Sequence, residues 1–210
     1  MTEVDTEVVW TEATERLATD PTFGPVVREV GSVRVLADPS PPFAALARAI
    51  VYQQLAGAAA RAIHGRVVEA VGGEVVAPAI LGTPEAHLRA AGLSAAKHAA
   101  IRDLALRVSE GDVLLDDLDA VSDADVKARL TRVRGVGPWT ADMFLMFTLR
   151  RPDVWPVGDL GVRQGMGRML DWSEAPTASQ LELIGVGYRP WRSAAAWYCW
   201  RALELESPGA

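Results

Sequence analysis

The sequence has little cysteine and histidine and no long apolar segment, and each absence excludes a class of protein. A single cysteine, Cys199, excludes a disulfide scaffold within the chain and a cysteine-held iron–sulfur cluster. The three histidines, at positions 64, 87 and 98, are too scattered to form a metal-ligand spacing. No apolar run reaches transmembrane length and no secretory signal is visible, so we expect a cytoplasmic protein without a membrane partner.

The shortage of positive charge at first argues against a nucleic-acid partner, because the formal net charge is −6 over 210 residues. The charge is unevenly distributed, however. Residues 127–170 hold eight basic and three acidic side chains, a local net charge of +5. A local basic patch is what a phosphate backbone requires, although solvated helix faces produce the same count.

Helix signals dominate what is present. Ser40-Pro41-Pro42 predicts the start of a helix with an apolar face, and Gly72-Gly73 predicts the end of the next one. Thr83, Ser94 and Ser122 are predicted N-caps of later helices. Strand alternation is weak, with Val75-Val76 at most a short extended piece. We therefore predict an all-α protein.

The most informative segment joins two predicted helices between Leu130 and Ala141. Two glycines bracket Val136, and a new helix begins at Pro138. Amide groups at a helix N-terminus favour an anion, so this turn predicts a phosphate cradle in which Val136 also packs between the helices. Pro138 has no amide proton to donate. The predicted donors and their basic neighbours are Arg132, Arg134, Gly135, Val136, Gly137, Trp139 and Thr140. An ordinary helix–turn–helix corner would show the same Gly-x-Gly pattern.

The run from Val133 to Ala141 resembles the helix-hairpin-helix of the HhH-GPD DNA glycosylase superfamily, which includes endonuclease III. It is most similar to the branch of 3-methyladenine DNA glycosylase II. Four further segments resemble motifs of that branch in the same order, so that the resemblance covers residues 43 to 200. They are Ile50–Ala59 with its Gln-Gln pair, the Gly-Leu-Ser-x-x-Lys stretch Gly92–Lys97, the aspartate segment Asp153–Gly161, and the Trp-Arg-Ser helix within Arg189–Trp200.

The resemblance implies that residues 1–210 form a single glycosylase unit with a two-lobed helix-hairpin-helix fold and the active-site cleft between the lobes. One lobe would comprise about residues 43–150, including the hairpin, and the other about 1–42 plus 151–210. The implied partner is double-stranded DNA containing damaged bases, bound by a monomer that would be nucleoid-associated in a bacterium. No cofactor is expected to be required, although Na⁺ or K⁺ held by hairpin carbonyls is implied; no side-chain ligands mark a metal.

The resemblance also makes Asp159 the catalytic carboxylate. Cleavage of an N-glycosidic bond builds positive charge on the deoxyribose, which a carboxylate beside C1′ can stabilise. A helix N-cap would equally explain an aspartate in this turn, and we predict structural roles for Asp142 and Asp153. In bifunctional relatives a Schiff-base lysine lies two residues after the second hairpin glycine, where this chain has Trp139.

These features predict a monofunctional DNA glycosylase for alkylated purines, such as 3-methyladenine and 7-methylguanine, in base excision repair. Three alternatives remain: a non-catalytic DNA-binding module of the same fold, a helical protein-interaction domain, and a glycosylase for deaminated or oxidised bases. The pocket walls cannot be read from the sequence, so the damaged base is not specified further.

By resemblance the base pocket holds Tyr52, Trp139, Met143 and Trp200, with Met143 in place of a base-stacking tyrosine. Trp172 and Trp197 are expected in the core.

Gln54 or Leu55 would be the wedge that fills the gap left by a flipped base. The alternative is that Leu55 lies in the core and the glutamines cap helix ends. Arg132, Arg163 and Arg192 are candidate phosphate or cleft contacts. For Arg192, pairing with a carboxylate is the alternative.

Overall fold

The computed structural model describes residues 3–35 and 38–205, with side chains described from residue 9 onward. Within these ranges the chain forms α-helices and two 3₁₀ turns but no strand, so the all-α prediction is confirmed. The helices are α1 (Glu3–Ala18), α2 (Gly24–Val30), α3 (Pro42–Tyr52), α4 (Gly57–Ala70), α5 (Ala77–Gly82), α6 (Glu85–Ala90), α7 (Ala95–Ser109), α8 (Asp123–Leu130), α9 (Pro138–Phe147), α10 (Leu160–Met169), α11 (Ala178–Gly185) and α12 (Arg192–Glu204). Among the described residues, no helix combines the length and apolar character needed to span a bilayer.

Local capping explains several helix boundaries. The hydroxyl of Ser94 accepts a hydrogen bond from the Lys97 amide at the start of α7, at 3.2 Å. Ser122 does the same for the Asp125 amide at the start of α8. Each cap satisfies an amide that the first turn of a helix leaves unpaired, so both predictions are confirmed.

The prediction that Thr83 caps a helix is wrong. Its hydroxyl donates to the carbonyl of Ala79, 2.8 Å away, and α6 has no side-chain cap. The physical reason is the short helix α5, which was not predicted, although Val76 just before it is extended as expected. Thr83 therefore closes α5 instead of opening α6, because Ser and Thr hydroxyls readily bond back to the carbonyl four residues earlier.

The first compact unit runs from Asp38 to Phe144 and is named here the hairpin unit. Helix α3 packs on α4 and α7, and α7 also packs on α5 and α6. Among the largest fully buried side chains of this unit are Leu46, Ile50, Ile80, Leu88, Ile101, Leu104 and Leu130. This core supports the helices that flank the glycine turn.

The second compact unit is discontinuous in sequence: it comprises Met1–Ala37 and Leu145–Ala210 and is named here the aspartate unit. Helix α12 packs on α1, α2 and α10. Gly165 allows α10 its close approach, because a Cβ there would lie 2.0 Å from the Cys199 carbonyl oxygen of α12. The organisation of both units as lobes around one cleft stays a prediction.

Candidate functional site

The glycine turn of the hairpin unit has the predicted form. Helix α8 ends at Leu130 and α9 begins at Pro138. Val133 and Val136 are buried, with 2% and 4% of their surface exposed, so Val136 packs inward as expected. Gly135 has a φ of 78°, in the left-handed region that glycine adopts without strain. The turn therefore needs a glycine at this position.

The backbone of the hairpin is held by Asp103 on α7. The Arg134 amide donates to Asp103 Oδ2 at 2.8 Å, and Arg107 Nε donates to the same oxygen at 2.9 Å. Burial alone would raise the pKa of Asp103, but these hydrogen bonds outweigh it and the pKa lies below its usual value. Arg134 therefore contacts α7 through its backbone amide, and its side chain is exposed.

The prediction that the Val136 amide could donate to a phosphate is wrong. The Val136 amide donates to the Val133 carbonyl at 3.0 Å, within the hairpin itself, so it is not available to a phosphate. Arg132 is exposed and donates from Nη1 to the Asp112 carbonyl at 3.3 Å. The side chains of Arg132 and Arg134 remain accessible to a phosphate group.

The segment after α3 is bonded to the hairpin. Gln53 Nε2 lies 3.0 Å from the Gly135 carbonyl oxygen and 3.2 Å from Thr140 Oγ1. Lys97 Nζ of α7 donates to the carbonyl oxygens of Val51 and Gln53, at 2.6 and 2.7 Å. Burial lowers the pKa of Lys97. The lysine of the Gly-Leu-Ser-x-x-Lys stretch thus caps the C-terminus of α3.

The two predicted wedge residues are both exposed. Gln54 has a φ of 56°, which is uncommon for a residue with a side chain, and Leu55 has 38% of its surface exposed. The alternative that Leu55 belongs to the core is therefore wrong. The wedge role itself stays a prediction.

A cavity of about 660 Å³ opens on the hairpin unit beside these residues. It brings together three of the four predicted base-pocket residues with the Gln53–Leu55 segment and the hairpin. Its lining is Ala49, Tyr52, Gln53, Gln54, Leu55, Gly135, Trp139, Thr140 and Met143. The guanidinium of Arg48 lies 5.7 Å from the centre of the Tyr52 ring. The fourth predicted residue, Trp200, belongs to the aspartate unit.

Asp159 is the N-cap of α10 in the aspartate unit. Its Oδ1 accepts a hydrogen bond from the Val162 amide at 2.8 Å and a second from Trp200 Nε1 at 2.9 Å. Only 9% of the residue is exposed. The Trp200 ring stacks in turn on Phe147, with ring centres 6.0 Å apart and planes at 22°. The cap and the candidate catalytic carboxylate are therefore the same group, and it is held in one orientation.

The approach of Trp200 to Asp159 depends on a glycine. A Cβ at Gly161 would lie 2.8 Å from Trp200 Cδ1 and 3.2 Å from Asp159 Oδ1. Since real Cβ atoms do not approach a ring atom so closely, the indole could not keep its place beside the carboxylate if this position carried a side chain.

The chain leading to Asp159 is fixed by α12. Arg192 Nε and Nη2 donate to the two carboxylate oxygens of Asp153, at 2.6 and 3.0 Å, and Nη2 also donates to the Asp153 carbonyl. Ser193 accepts from the Val154 amide and donates to the Arg151 carbonyl. Arg192 is only 9% exposed, so its prediction as a phosphate contact is wrong and the carboxylate-pairing alternative is confirmed.

Comparison with known proteins agrees with this geometry. A family model described as "HhH-GPD superfamily base excision DNA repair protein" matches residues 47–188. The chain belongs to the HhH-GPD superfamily. It is 32% identical over 167 residues to DNA-3-methyladenine glycosylase 1 of Schizosaccharomyces pombe, a match that covers 78% of this chain and 73% of that protein.

Two solved structures superpose well on this chain. The 3-methyladenine DNA glycosylase Mag1 of Schizosaccharomyces pombe, in complex with abasic DNA, has a TM-score of 0.83 at 30% identity and covers 92% of this chain and 97% of that one. A DNA-3-methyladenine glycosidase from Bacillus halodurans has a TM-score of 0.82 at 32% identity, with 90% and 88% covered.

Three further predictions concern single side chains, at Arg163, Asp142 and Trp172. Arg163 of α10 donates from Nε to the Pro176 carbonyl at 2.6 Å, within the aspartate unit. Asp142 is buried and forms an ion pair with Lys127, in agreement with its structural assignment. Trp172 is 45% exposed, so its placement in the core is wrong; it lies in the loop that joins α10 to α11.

Sequence reasoning missed the roles of Gln53, Lys97 and Asp103 in this HhH-GPD chain. Gln53 and Lys97 stood inside recognised motifs, but nothing local indicated which atoms they bond. Asp103 had no motif, and its partner Arg134 lies 31 residues further along the chain. These contacts join residues that are far apart in the sequence, so no local pattern could have predicted them.

Proposed function

We propose that this protein is a monofunctional DNA glycosylase that hydrolyses the N-glycosidic bond of alkylated purines, such as 3-methyladenine and 7-methylguanine, in double-stranded DNA. The observation that carries the proposal is the buried Asp159, oriented by the Val162 amide and the Trp200 indole in a chain of the HhH-GPD superfamily. The relatives named as 3-methyladenine glycosylases support the choice of damaged base.

In the proposed reaction the bond between C1′ and the base nitrogen breaks, and the electron pair leaves with the base. An alkylated purine that carries a positive charge departs as a neutral molecule, so little acid catalysis is needed at the base. The Asp159 carboxylate stabilises the oxocarbenium character at C1′. Water then adds its oxygen to C1′ and loses a proton, which leaves a free base and an abasic site.

The aromatic residues suit an electron-poor base. An indole face attracts a cation, and a flipped purine stacks well on Trp139, which is 46% exposed at the cavity. Tyr52 and Met143 line the same cavity, where Met143 supplies contact without a π face. Arg132 and Arg134 would neutralise backbone phosphates on either side of the damaged nucleotide.

The proposal excludes strand cleavage through an enzyme amine. Trp139 occupies the position of the Schiff-base lysine, and an indole nitrogen cannot form an imine. Borohydride added during turnover should therefore trap no covalent protein–DNA adduct.

A monovalent cation at the hairpin would have to be held by backbone carbonyls. Among the described residues, no cluster of three His, Cys, Asp or Glu side chains could hold a metal. The Gly135 carbonyl already accepts from Gln53, although a carbonyl oxygen has a second acceptor position. Activity in Na⁺, K⁺ and tetramethylammonium buffers of equal ionic strength tests this site.

The deciding experiment measures base release from alkylated duplex DNA, with chromatographic identification of each base. We expect 3-methyladenine and 7-methylguanine among the products. Parallel duplexes containing a deaminated or an oxidised base test the sister activity. Binding to all these duplexes without release of any base would contradict the proposal and favour the non-catalytic module.

A further inference from the structure

Gln53 makes contacts that neither substrate binding nor chemistry at Asp159 explains. We infer that Gln53 is a positioning residue that locks the wedge loop, residues 53–55, to the phosphate-binding hairpin. The two then act on DNA as one rigid body. This inference rests on the proposed glycosylase function, since it assigns a task in flipping the damaged nucleotide.

The orientation of the Gln53 amide follows from its partners. The Gly135 carbonyl can only accept, so the NH₂ group of Gln53 must face the hairpin. The same nitrogen lies within 3.2 Å of Thr140 Oγ1 in the first turn of α9. Thr140 is 4% exposed, so the packing around it fixes its position. The amide thus ties the loop to both sides of the glycine turn.

The backbone of Gln53 is held by a different element, helix α7. Lys97 Nζ grips its carbonyl and that of Val51 at hydrogen-bonding distance. Side chain and main chain of Gln53 are therefore bound to two elements, the hairpin and α7. Both bonds from Lys97 are charge-assisted, which makes them stronger than neutral ones.

This double attachment matches the conformation of the next two residues. Gln54 lies in the left-handed region, with a φ of 56°, which persists in a side-chain-bearing residue only when its surroundings impose it. Leu55 is exposed and contributes little packing that could hold the loop. The bonds of Gln53 thus hold the wedge loop in this conformation before DNA arrives, which lowers the ordering cost on binding.

A loose wedge has a diagnostic effect on rate. Extruding a base costs most when it is well paired and least when it is mispaired. A variant with a loose wedge but intact chemistry should therefore lose activity on a paired lesion and keep it on a mispaired one. A general structural defect would lower both rates equally.

The test compares wild type with Gln53→Met, which keeps the length of the side chain and removes its hydrogen bonds. Single-turnover release of 7-methylguanine is measured opposite cytosine and opposite adenine. We expect about a tenfold loss opposite cytosine, in line with the loss of two neutral hydrogen bonds, and less than about a twofold loss opposite adenine.

Two further variants keep the result interpretable if Gln53→Met folds poorly. Thr140→Val removes one acceptor without changing side-chain shape. It should give a smaller loss of activity, and this loss should again be larger for the paired lesion than for the mispaired one. Gln54→Ala combined with Gln53→Met should lose no more activity than the worse single variant, because the two residues act as one unit.

The matched control is Gln180→Met, which removes the capping-box glutamine of α11 in the aspartate unit and should leave the ratio of the two rates unchanged. Equal losses on both duplexes, or none on either, overturn the locking role while leaving the glycosylase proposal intact. No release by wild type from either duplex or from any other alkylated DNA overturns both.

Discussion

The hairpin unit and the aspartate unit hold their functional groups in opposite ways. Around the hairpin the residues are accessible: Trp139 is 46% and Leu55 38% exposed, and Gln54 lies in a strained backbone region. In the aspartate unit Asp159 is 9% exposed and is held by two hydrogen bonds to one oxygen. The candidate DNA-contacting groups are thus reachable from solvent, whereas the candidate catalytic carboxylate is buried and held in one orientation.

The difference follows from the two physical tasks. A group that binds a phosphate or enters a base stack must be accessible from solvent, so neighbouring residues can support it only through its backbone or its protein-facing side. Lys97 and Asp103 support the backbones of Gln53 and Arg134 in this way. A group that stabilises charge at one atom must be preorganised to within a fraction of an ångström. Packing against Trp200 achieves this, at positions where only glycine leaves room.

The largest expected effect tests the aspartate unit directly. Asp159→Asn should lower single-turnover base release about 1,000-fold, because the neutral amide no longer stabilises the charged sugar. Its oxygen can still accept from the Val162 amide, so α10 stays capped and thermal unfolding should change little. The matched control, Asp142→Asn, breaks the ion pair with Lys127 and should lower stability instead of the chemical rate. Near-wild-type release by Asp159→Asn would overturn its catalytic role.

The next effect tests whether the aspartate unit depends on close helix packing. Gly165→Ala would place a Cβ 2.0 Å from the Cys199 carbonyl oxygen, and α10 and α12 would have to separate. We expect the free energy of unfolding to fall by about 3 kcal/mol. Gly187→Ala, where no atom lies within 4 Å, is the control and should be nearly neutral. Urea unfolding measures both, and equal stability would show that the helices can adjust.

A smaller effect distinguishes packing from phosphate binding at Arg192. Arg192→Lys loses the two-point contact with Asp153 and should cost about 2 kcal/mol of stability. The slope of DNA affinity against salt should not change, because the Arg192 guanidinium is buried and already paired with Asp153. Arg189→Lys alters an exposed partner of the same carboxylate and should have almost no effect on stability. A reduced salt slope for Arg192→Lys would restore its prediction as a phosphate contact.

A substitution on the hairpin should change DNA binding and leave stability unaltered, the reverse of the result expected for Arg192. Arg134→Ala should weaken binding to DNA of any sequence by about fivefold and reduce the salt slope by about one, with stability unchanged. Its backbone bond to Asp103 does not depend on the side chain. Arg16→Ala, outside the basic segment, is the control and should leave the salt slope unaltered. Fluorescence anisotropy over a salt series measures both.

The smallest effect concerns Asp103, which anchors the hairpin. Its lowered pKa means that folding favours the ionised form, so its contribution is complete above the ordinary pKa of about 4 and is lost as the pH falls further. Asp103→Asn should cost about 0.5 kcal/mol at pH 7 and less at pH 3. Asp116→Asn, an exposed carboxylate, should show no such difference. A cost that does not vary with pH would argue against the charged anchor.

Much of the local structure could be predicted because its causes lie within a few residues. Ser94 and Ser122 mark helix starts, because each hydroxyl accepts a hydrogen bond from the amide three residues further on. The glycine turn follows from the same short-range rules, and so does Asp159, whose capping bond to Val162 is local. Thr83 shows the limit, because two neighbouring helices competed for one hydroxyl.

The rest required partners that the sequence does not place together. Gln53 and Gly135 are 82 residues apart, and Trp200 and Asp159 are 41 apart. No periodicity indicates that Arg192 would meet Asp153 instead of a phosphate, or that Leu55 would be left exposed. Such outcomes depend on which helix faces pack together.

By itself the sequence determined the helical class and the position of the glycine turn, because capping, glycine conformation and helix dipoles act over a single turn. The choice of Asp159 as the candidate carboxylate came from the resemblance of its segment to a family motif. The tertiary structure alone decided which groups are held rigid and which stay accessible. Burial and hydrogen bonding of a side chain depend on the elements packed around it, and these come from distant parts of the chain.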